Sequence, residues 1–296
     1  MNPRELLSRA ESPNPPILLN VLPPEVFQEK RIPGSVNACV YEMSFLDNVA
    51  RLLPSKNQPI IVYGASPDSL EGSVAAEKLK RAGYLAVEHF DAGLEGWITA
   101  GFPTAGTPRS VETAKSSGTF RVDPESSVIR WMGRNLFNHH SGTLRFSEGD
   151  ISTSGGDLTA ATFTINMHSI SCEDISDPGL NAMLVAHLKS DDFFDVENHP
   201  AAFCSLERAE RLTPAIDGRP NVALSGSLTL RGVTRPVSFP AVVAINEDGS
   251  LTGQAFTEID RTEFQILYGS GKFFRHLGKH LVNDHIQLHL KINARP

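Results

Sequence analysis

At 296 residues, with 40% hydrophobic and 21% charged side chains, the chain has the make-up of a folded globular protein long enough for two ordinary domains. A net charge of −7 argues against a nucleic-acid footprint, which needs a basic stripe, and against docking on anionic membrane through bulk charge. No apolar run reaches the length of a membrane span, the stretch from Met1 to Asn20 lacks the hydrophobic centre of a secretory signal, and the 3 cysteines, Cys39, Cys172 and Cys204, show no metal-ligand spacing, so a cytoplasmic protein with reduced thiols is the expectation.

From Ile17 to Thr104, strand and helix signals alternate. Ile17–Val21 and Pro59–Tyr63 are short apolar runs, as expected of parallel strands covered on both faces. Val36–Val40, after the Pro33-Gly34 turn, and Val87–Phe90 are predicted as two further strands. Helices are predicted over Pro24–Lys30, Phe45–Leu53, Leu70–Ala82 and Leu94–Ala100; the third places Val74, Leu79 and its alanines on one stripe and ends at Gly83. Alternation of this kind indicates an α/β domain with a mostly parallel sheet.

Arg31-Ile32-Pro33-Gly34-Ser35-Val36-Asn37, Ile61-Val62-Tyr63, Ala82-Gly83-Tyr84 and Gly93-Leu94-Glu95-Gly96-Trp97 are the residues by which this region resembles a rhodanese domain. The resemblance implies a nucleophilic cysteine directly after the Val62-Tyr63 strand, heading a loop whose backbone N–H groups cradle a persulfide. Here that position is Gly64, which offers no thiolate. Pro67 removes one loop N–H, and Asp68 adds a negative charge where an anionic sulfur group would sit. An inactive domain over residues 1–105 is therefore expected, with Cys39 read as a small buried residue. Residues 106–117 have linker composition.

Strand follows strand in residues 118–296. Thr119–Asp123, Val128–Met132, His140–Phe146 and Thr162–His168 come first; Leu180–Leu188 has helical spacing and is expected to cross a barrel end; then come Ala201–Leu206, Leu251–Glu258, Ile259–Leu267 and His285–Ile292. Between them, Leu224, Leu228 and Leu230 share one parity, and Val237, Phe239, Val243 and Ile245 another, on either side of a segment carrying Gly232 and Pro236. That is an antiparallel hairpin with one apolar face, its turn placed between Arg231 and Pro236. About eight or more such strands suffice to close a small barrel around one ligand.

Leu228-Thr229-Leu230-Arg231-Gly232-Val233-Thr234-Arg235-Pro236-Val237, together with the upstream run His187-Leu188-Lys189-Ser190-Asp191-Asp192-Phe193-Phe194-Asp195-Val196-Glu197-Asn198-His199-Pro200, resembles the YceI-like family of lipid-binding barrels. The resemblance implies a lipocalin-like antiparallel barrel holding a long isoprenoid or similar amphiphilic lipid. By parity, the lumen-facing candidates are Phe163, Ile165, Met167, Phe203, Leu228, Leu230, Phe239, Ala241, Val243, Ile286 and Leu288; the same alternation also fits a filled core.

Nine of the 10 histidines lie in this second region, and His276/His280 and His285/His289 are each four apart. A metal site would need a completing Cys or carboxylate at ligand spacing, and none is present, so no metal or cofactor is assigned. Asp191, Asp192 and Asp195 fit turn and capping roles better than an acid–base pair, and no catalytic residue is assigned. The reading is a non-enzymatic lipid-binding barrel with a docking or regulatory rhodanese-like domain, its homodimerisation open. A sulfurtransferase-related protein and a metal-responsive protein using the histidines are the alternatives.

Overall fold

The computed structural model describes residues 1–107, 117–135, 137–213, 218–246 and 248–296. The chain divides into two compact units, Met1–Val111 and Glu112–Pro296. Most of the segment expected as a linker, residues 108–116, lies outside the described residues.

The first unit runs α1 (Pro3–Ala10), β1 (Ile17–Asn20), α2 (Pro24–Glu29), β2 (Val36–Asn37), α3 (Phe45–Leu52), β3 (Ile60–Tyr63), α4 (Glu71–Arg81), β4 (Val87–His89), α5 (Gly93–Thr99). Its four strands form an all-parallel sheet in the order β2-β1-β3-β4. Because successive side chains point to opposite faces, the sheet feeds two cores. Leu19, Ile60 and Val62 pack with Phe45, Val49 and Leu79, while Leu18, Ile61 and Tyr63 pack with Leu6, Leu94 and Trp97. Helix α1 was not predicted. Its signal is present nonetheless: the Asn2 side chain accepts the Glu5 N–H at 2.9 Å, Pro3 opens the first turn, and Arg9 lies in the last turn. The second strand is shorter than predicted, since beyond Asn37 only the N–H groups of Ala38 and Val40 reach back to β1 and to Val21.

In the second unit, β5 (Gly118–Val122), β6 (Val128–Arg134), β7 (His139–Ser154), β8 (Asp157–Asn166), β9 (Ala201–Arg211), β10 (Val222–Leu230), β11 (Val233–Ile245), β12 (Leu251–Asp260) and β13 (His285–Arg295) form one antiparallel sheet. Strands β5 and β6 pair with opposite ends of β7 and with β13, so they are two halves of one stave, broken at the turn that Asp123 caps. Pairing of β13 with both β12 and β6 closes the sheet into an eight-stave barrel. The predicted strand over Ile259–Leu267 is corrected: β12 ends at Asp260, whose side chain takes the Thr262 N–H and starts a 3₁₀ turn over Arg261–Phe264.

Helix α6 (Pro178–Lys189) lies between β8 and β9, with Leu188 and the following Phe193, Phe194 and Val196 in the barrel core. Here the two quoted motifs meet. The β10–β11 turn is the two-residue pair Arg231-Gly232, with φ of 51° and 73°, and Leu230 pairs with Val233 across it. The Arg231 guanidinium donates to the carbonyls of Asp191 at 2.6 Å, Phe193 at 2.9 Å and Gln265 at 3.2 Å. Thus the hairpin tip is fastened to the turn that follows α6. Pro236, expected in the turn, lies inside β11 instead.

Candidate functional site

Two places were marked by the sequence, and the first is the loop after β3. The Glu71 carboxylate sits inside this loop with the residue only 7% exposed, and its Oε1 accepts the Ala65 N–H at 2.7 Å. Ser69 Oγ takes the Ser66 N–H at 3.0 Å. A Cβ on Gly64 would come within 2.6 Å of Glu71 Cγ, so side chain and loop are fitted to one another. Gly93, at φ 61°, lets α5 approach the loop closely; a Cβ there would come within 2.8 Å of Ala65 and Ser66 backbone. Burial opposes ionisation of Glu71, but the Ala65 N–H, its own N–H, Ser69 and the nearby His89 outweigh it, holding its carboxyl below the ordinary value. Of the backbone donors that could cradle an external anion, the Ala65 N–H is thus turned on the protein's own carboxylate and the Ser66 N–H on the Ser69 hydroxyl.

The second place is the barrel interior, which encloses a cavity of about 330 Å³. Phe163 and Ile165 from β8, Leu228 from β10, Phe239, Ala241 and Val243 from β11, and Leu288 from β13 border it. Leu230 and Met167 are buried in the barrel core but do not border it, Met167 because it has left β8 for a 3₁₀ turn. Ile286 borders a smaller cavity of about 140 Å³, beside Leu188, Phe193 and the fully buried Arg261. Phe203 is a correction. It is 52% exposed and pairs with Thr164 and Thr229 on the outer face. Ala202, Cys204 and Leu206 carry the inward face of β9, so the largest side chain in the strand marks the wrong parity.

Other lining residues, such as Phe146 and Ile151 from β7, Cys204, and Leu290 and Ile292 from β13, are not among the lumen candidates, although the last two share a face with Ile286 and Leu288 in the sequence. Alternation around Ile286 and Leu288 carried the last two; for Cys204 the signal was its spacing from Leu206 alone. Burial pushes the Cys204 thiol up to about 11, so it stays protonated and behaves as a small apolar group. Arg261 was also missed. It donates to the carbonyls of Ile266 at 2.6 Å, Val282 at 3.0 Å and Asn283 at 3.0 Å, and lies 3.7 Å from Asp284. No alternation points to it, because a buried guanidinium is fixed by carbonyls distant in sequence.

Among the described residues, no group of three or more His, Cys, Asp or Glu side chains could hold a metal ion. His285 and His289 lie on the outer face of β13, where His289 stacks on Phe256 with ring centres 4.1 Å apart, and His140 Nδ1 lies 2.9 Å from Asp174. Nor is any helix among the described residues long and apolar enough to cross a membrane.

Comparison with known proteins places both units. A rhodanese-like domain model matches residues 2–100, and a YceI-like domain model matches residues 120–294. Among solved structures, BcnA from Burkholderia cenocepacia is 22% identical over 58% of this chain and 99% of its own, with a TM-score of 0.46. A polyisoprenoid binding domain from Saccharophagus degradans is 13% identical over 61% of this chain and 99% of its own, at a TM-score of 0.43. The YceI protein of Campylobacter jejuni is 20% identical over 51% of this chain and 82% of its own, at 0.37. No curated protein matches the chain. With more than half its length in the second family match, and a closed antiparallel barrel built over that length, the chain belongs to the YceI-like domain family and carries a rhodanese-like domain ahead of it.

Proposed function

We propose that the barrel holds the apolar chain of an isoprenoid or similar amphiphile without altering it chemically. The observation that carries this is the cavity, bounded mainly by Phe, Ile, Leu and Val side chains from the strands of the barrel wall. Its volume of about 330 Å³ falls in the lower part of the range usual for small-molecule sites. Burial of a hydrocarbon chain contributes about 25 cal/mol per Å² of apolar surface. Affinity is therefore expected to rise with chain length until the cavity is filled, and to change little with salt. Titration with farnesol, geranylgeraniol and longer polyprenols tests this; binding of none of them overturns it.

The rhodanese-like unit serves, in this reading, as a docking or regulatory module. Gly64 supplies no nucleophile, and of the loop donors the Ala65 N–H goes to Glu71 and the Ser66 N–H to Ser69. No thiosulfate sulfurtransferase turnover is expected. Turnover that disappears in Cys39→Ser would show that Cys39 has taken the role. The three thiols, Cys39, Cys172 and Cys204, are free, which fits a reducing compartment such as the cytoplasm.

A further inference from the structure

The barrel wall is not uniformly sealed. Pairing between β11 and β12 runs from Ala241↔Ala255 to Ile245↔Leu251 and stops. Strand β11 extends back to Val233 against β10, and β12 extends on to Asp260 against β13. Among the described residues these two extensions are not paired with each other.

The residues bordering the cavity report the same break. In a closed wall only alternate residues face the lumen. Here Pro236, Val237, Ser238 and Phe239 border the cavity consecutively, and so do Thr257, Glu258, Ile259 and Asp260 on the other side. Consecutive lining also takes in Gly253–Ala255 beside the last β11–β12 pair, and along the two unpaired stretches it is what a cavity opening between the strands gives.

The sequence of β11 keeps this edge open. Asn221 donates its N–H to the Ala241 carbonyl on the β10 side, so odd-numbered residues of β11 turn their backbone groups toward β10. Even-numbered residues turn theirs toward the break, and two of these are Pro236 and Pro240, which have no N–H to give. Prolines at such positions also blunt an unpaired edge against strand addition.

The chemistry of the rim selects the ligand's polar end. Among the described residues that border the cavity, the charged ones are Glu258, Asp260 and Glu263. Asp260 is bridged by Lys272 at 2.6 Å, which also lies 3.5 Å from Asp284; Glu258 accepts from Gln287 at 2.8 Å and lies 3.9 Å from Arg134. Glu263 is exposed. Carboxylates therefore dominate the rim, and a phosphate head would meet like charge there.

We propose that the slot between β11 and β12 admits a single-chain amphiphile tail first, leaving an uncharged or cationic head at the Glu258, Asp260 and Glu263 rim. This rests on the reading of the barrel as a holder of apolar chains. In the full chain with Cys39→Ser, Cys172→Ser and Cys204→Ala, cysteines placed by Ser238→Cys and Glu258→Cys face each other across the slot if the register is continued. Stapling them with a short, reducible bis-methanethiosulfonate is expected to slow uptake and release of geranylgeraniol at least tenfold, with recovery on reduction. The same staple across the paired outer positions Thr162→Cys and Ser205→Cys is expected to leave both rates unchanged. Unchanged rates in the stapled Ser238→Cys/Glu258→Cys protein overturn the slot while leaving the holding function intact; failure of wild type to bind geranylgeraniol removes the holding function itself and the slot with it. A second measurement uses unmodified protein. Geranylgeraniol and geranylgeranylamine are expected to bind at least tenfold more tightly than geranylgeranyl diphosphate, with Glu263→Lys narrowing the difference, and equal affinities for all three overturn the assignment of the head.

Discussion

The loop after β3 and the interior of the barrel are opposite solutions to the same problem. Each is the place where its fold family would receive a ligand. In the loop, the Ala65 N–H is taken by Glu71 and the Ser66 N–H by Ser69, and Gly64 leaves the space that Glu71 fills. In the barrel, the inward faces of the strands leave about 330 Å³ unfilled. A fold supplies the position of a site; whether the site remains usable is decided by a few side chains inside it.

The comparison breaks most sharply at Arg261. Arg261→Ala removes a fully buried guanidinium that satisfies three carbonyls and faces Asp284. Loss of such a group is expected to cost roughly 3–5 kcal/mol. Denaturant unfolding should show the barrel transition shifted and the rhodanese-like transition in place. If both shift together, the two units do not unfold independently.

Next in size is Ala241→Trp, which fills the cavity from β11. Ala241 is 3% exposed and borders the cavity. A solid core would be overpacked and lose roughly 1–3 kcal/mol. With the cavity present, the expected outcome is a stability change below that range and loss of geranylgeraniol binding, read from unfolding and titration of the same variant. Strong destabilisation together with unchanged binding would place the ligand elsewhere. Gly64→Cys makes the matching intrusion in the other unit. Its Cβ would lie within 2.6 Å of Glu71 Cγ, so the variant is expected to lose roughly 1–3 kcal/mol and still give no sulfurtransferase turnover. Adding Glu71→Ala should recover part of that stability.

Much of this contrast was legible in the residues. Parity of Leu224, Leu228, Phe239 and Val243 placed the hairpin's inner face correctly, because period two leaves little choice once one face is apolar. Phe203 misled because small residues, Ala202 and Cys204, carry the inner face of its strand. The slot had a signal as well. Pro236 and Pro240, four apart in an otherwise strand-like run, mark backbone that cannot pair on one side, yet Pro236 reads equally as a turn residue. Arg261 and the Arg231 anchor had none: their partners at Val282, Asn283, Asp191 and Phe193 are brought near only by the closed barrel.

The smallest expected effect is in acid, where Glu71 in the first unit and Asp174 in the barrel are each among the carboxyls with a lowered pKa. Burial opposes ionisation of Asp174, but the Ser141 N–H at 2.7 Å, His140 at 2.9 Å and the Cys172 thiol at 3.3 Å bring it from the ordinary 3.8 to about 2. In both cases the folded value lies below the unfolded one. The stabilisation is therefore fully present above the unfolded value and is lost as pH falls through the folded one. For Asp174 that window runs from about 3.8 down to about 2; for Glu71 it begins at the ordinary 4.5 and extends downward. Asp174→Asn should make the acid limb of the barrel's stability curve less steep, with Asp260 and Asp123 still contributing, and Glu71→Gln that of the rhodanese-like unit, with Glu88 still contributing, each leaving the other unit's limb unchanged. Unfolding followed separately through Trp131 in the barrel and Trp97 in the first unit reads the two limbs. If Glu71→Gln leaves the first limb unaltered, the carboxylate is not held ionised by the loop, and the contrast between a filled cradle and an empty lumen loses its electrostatic half.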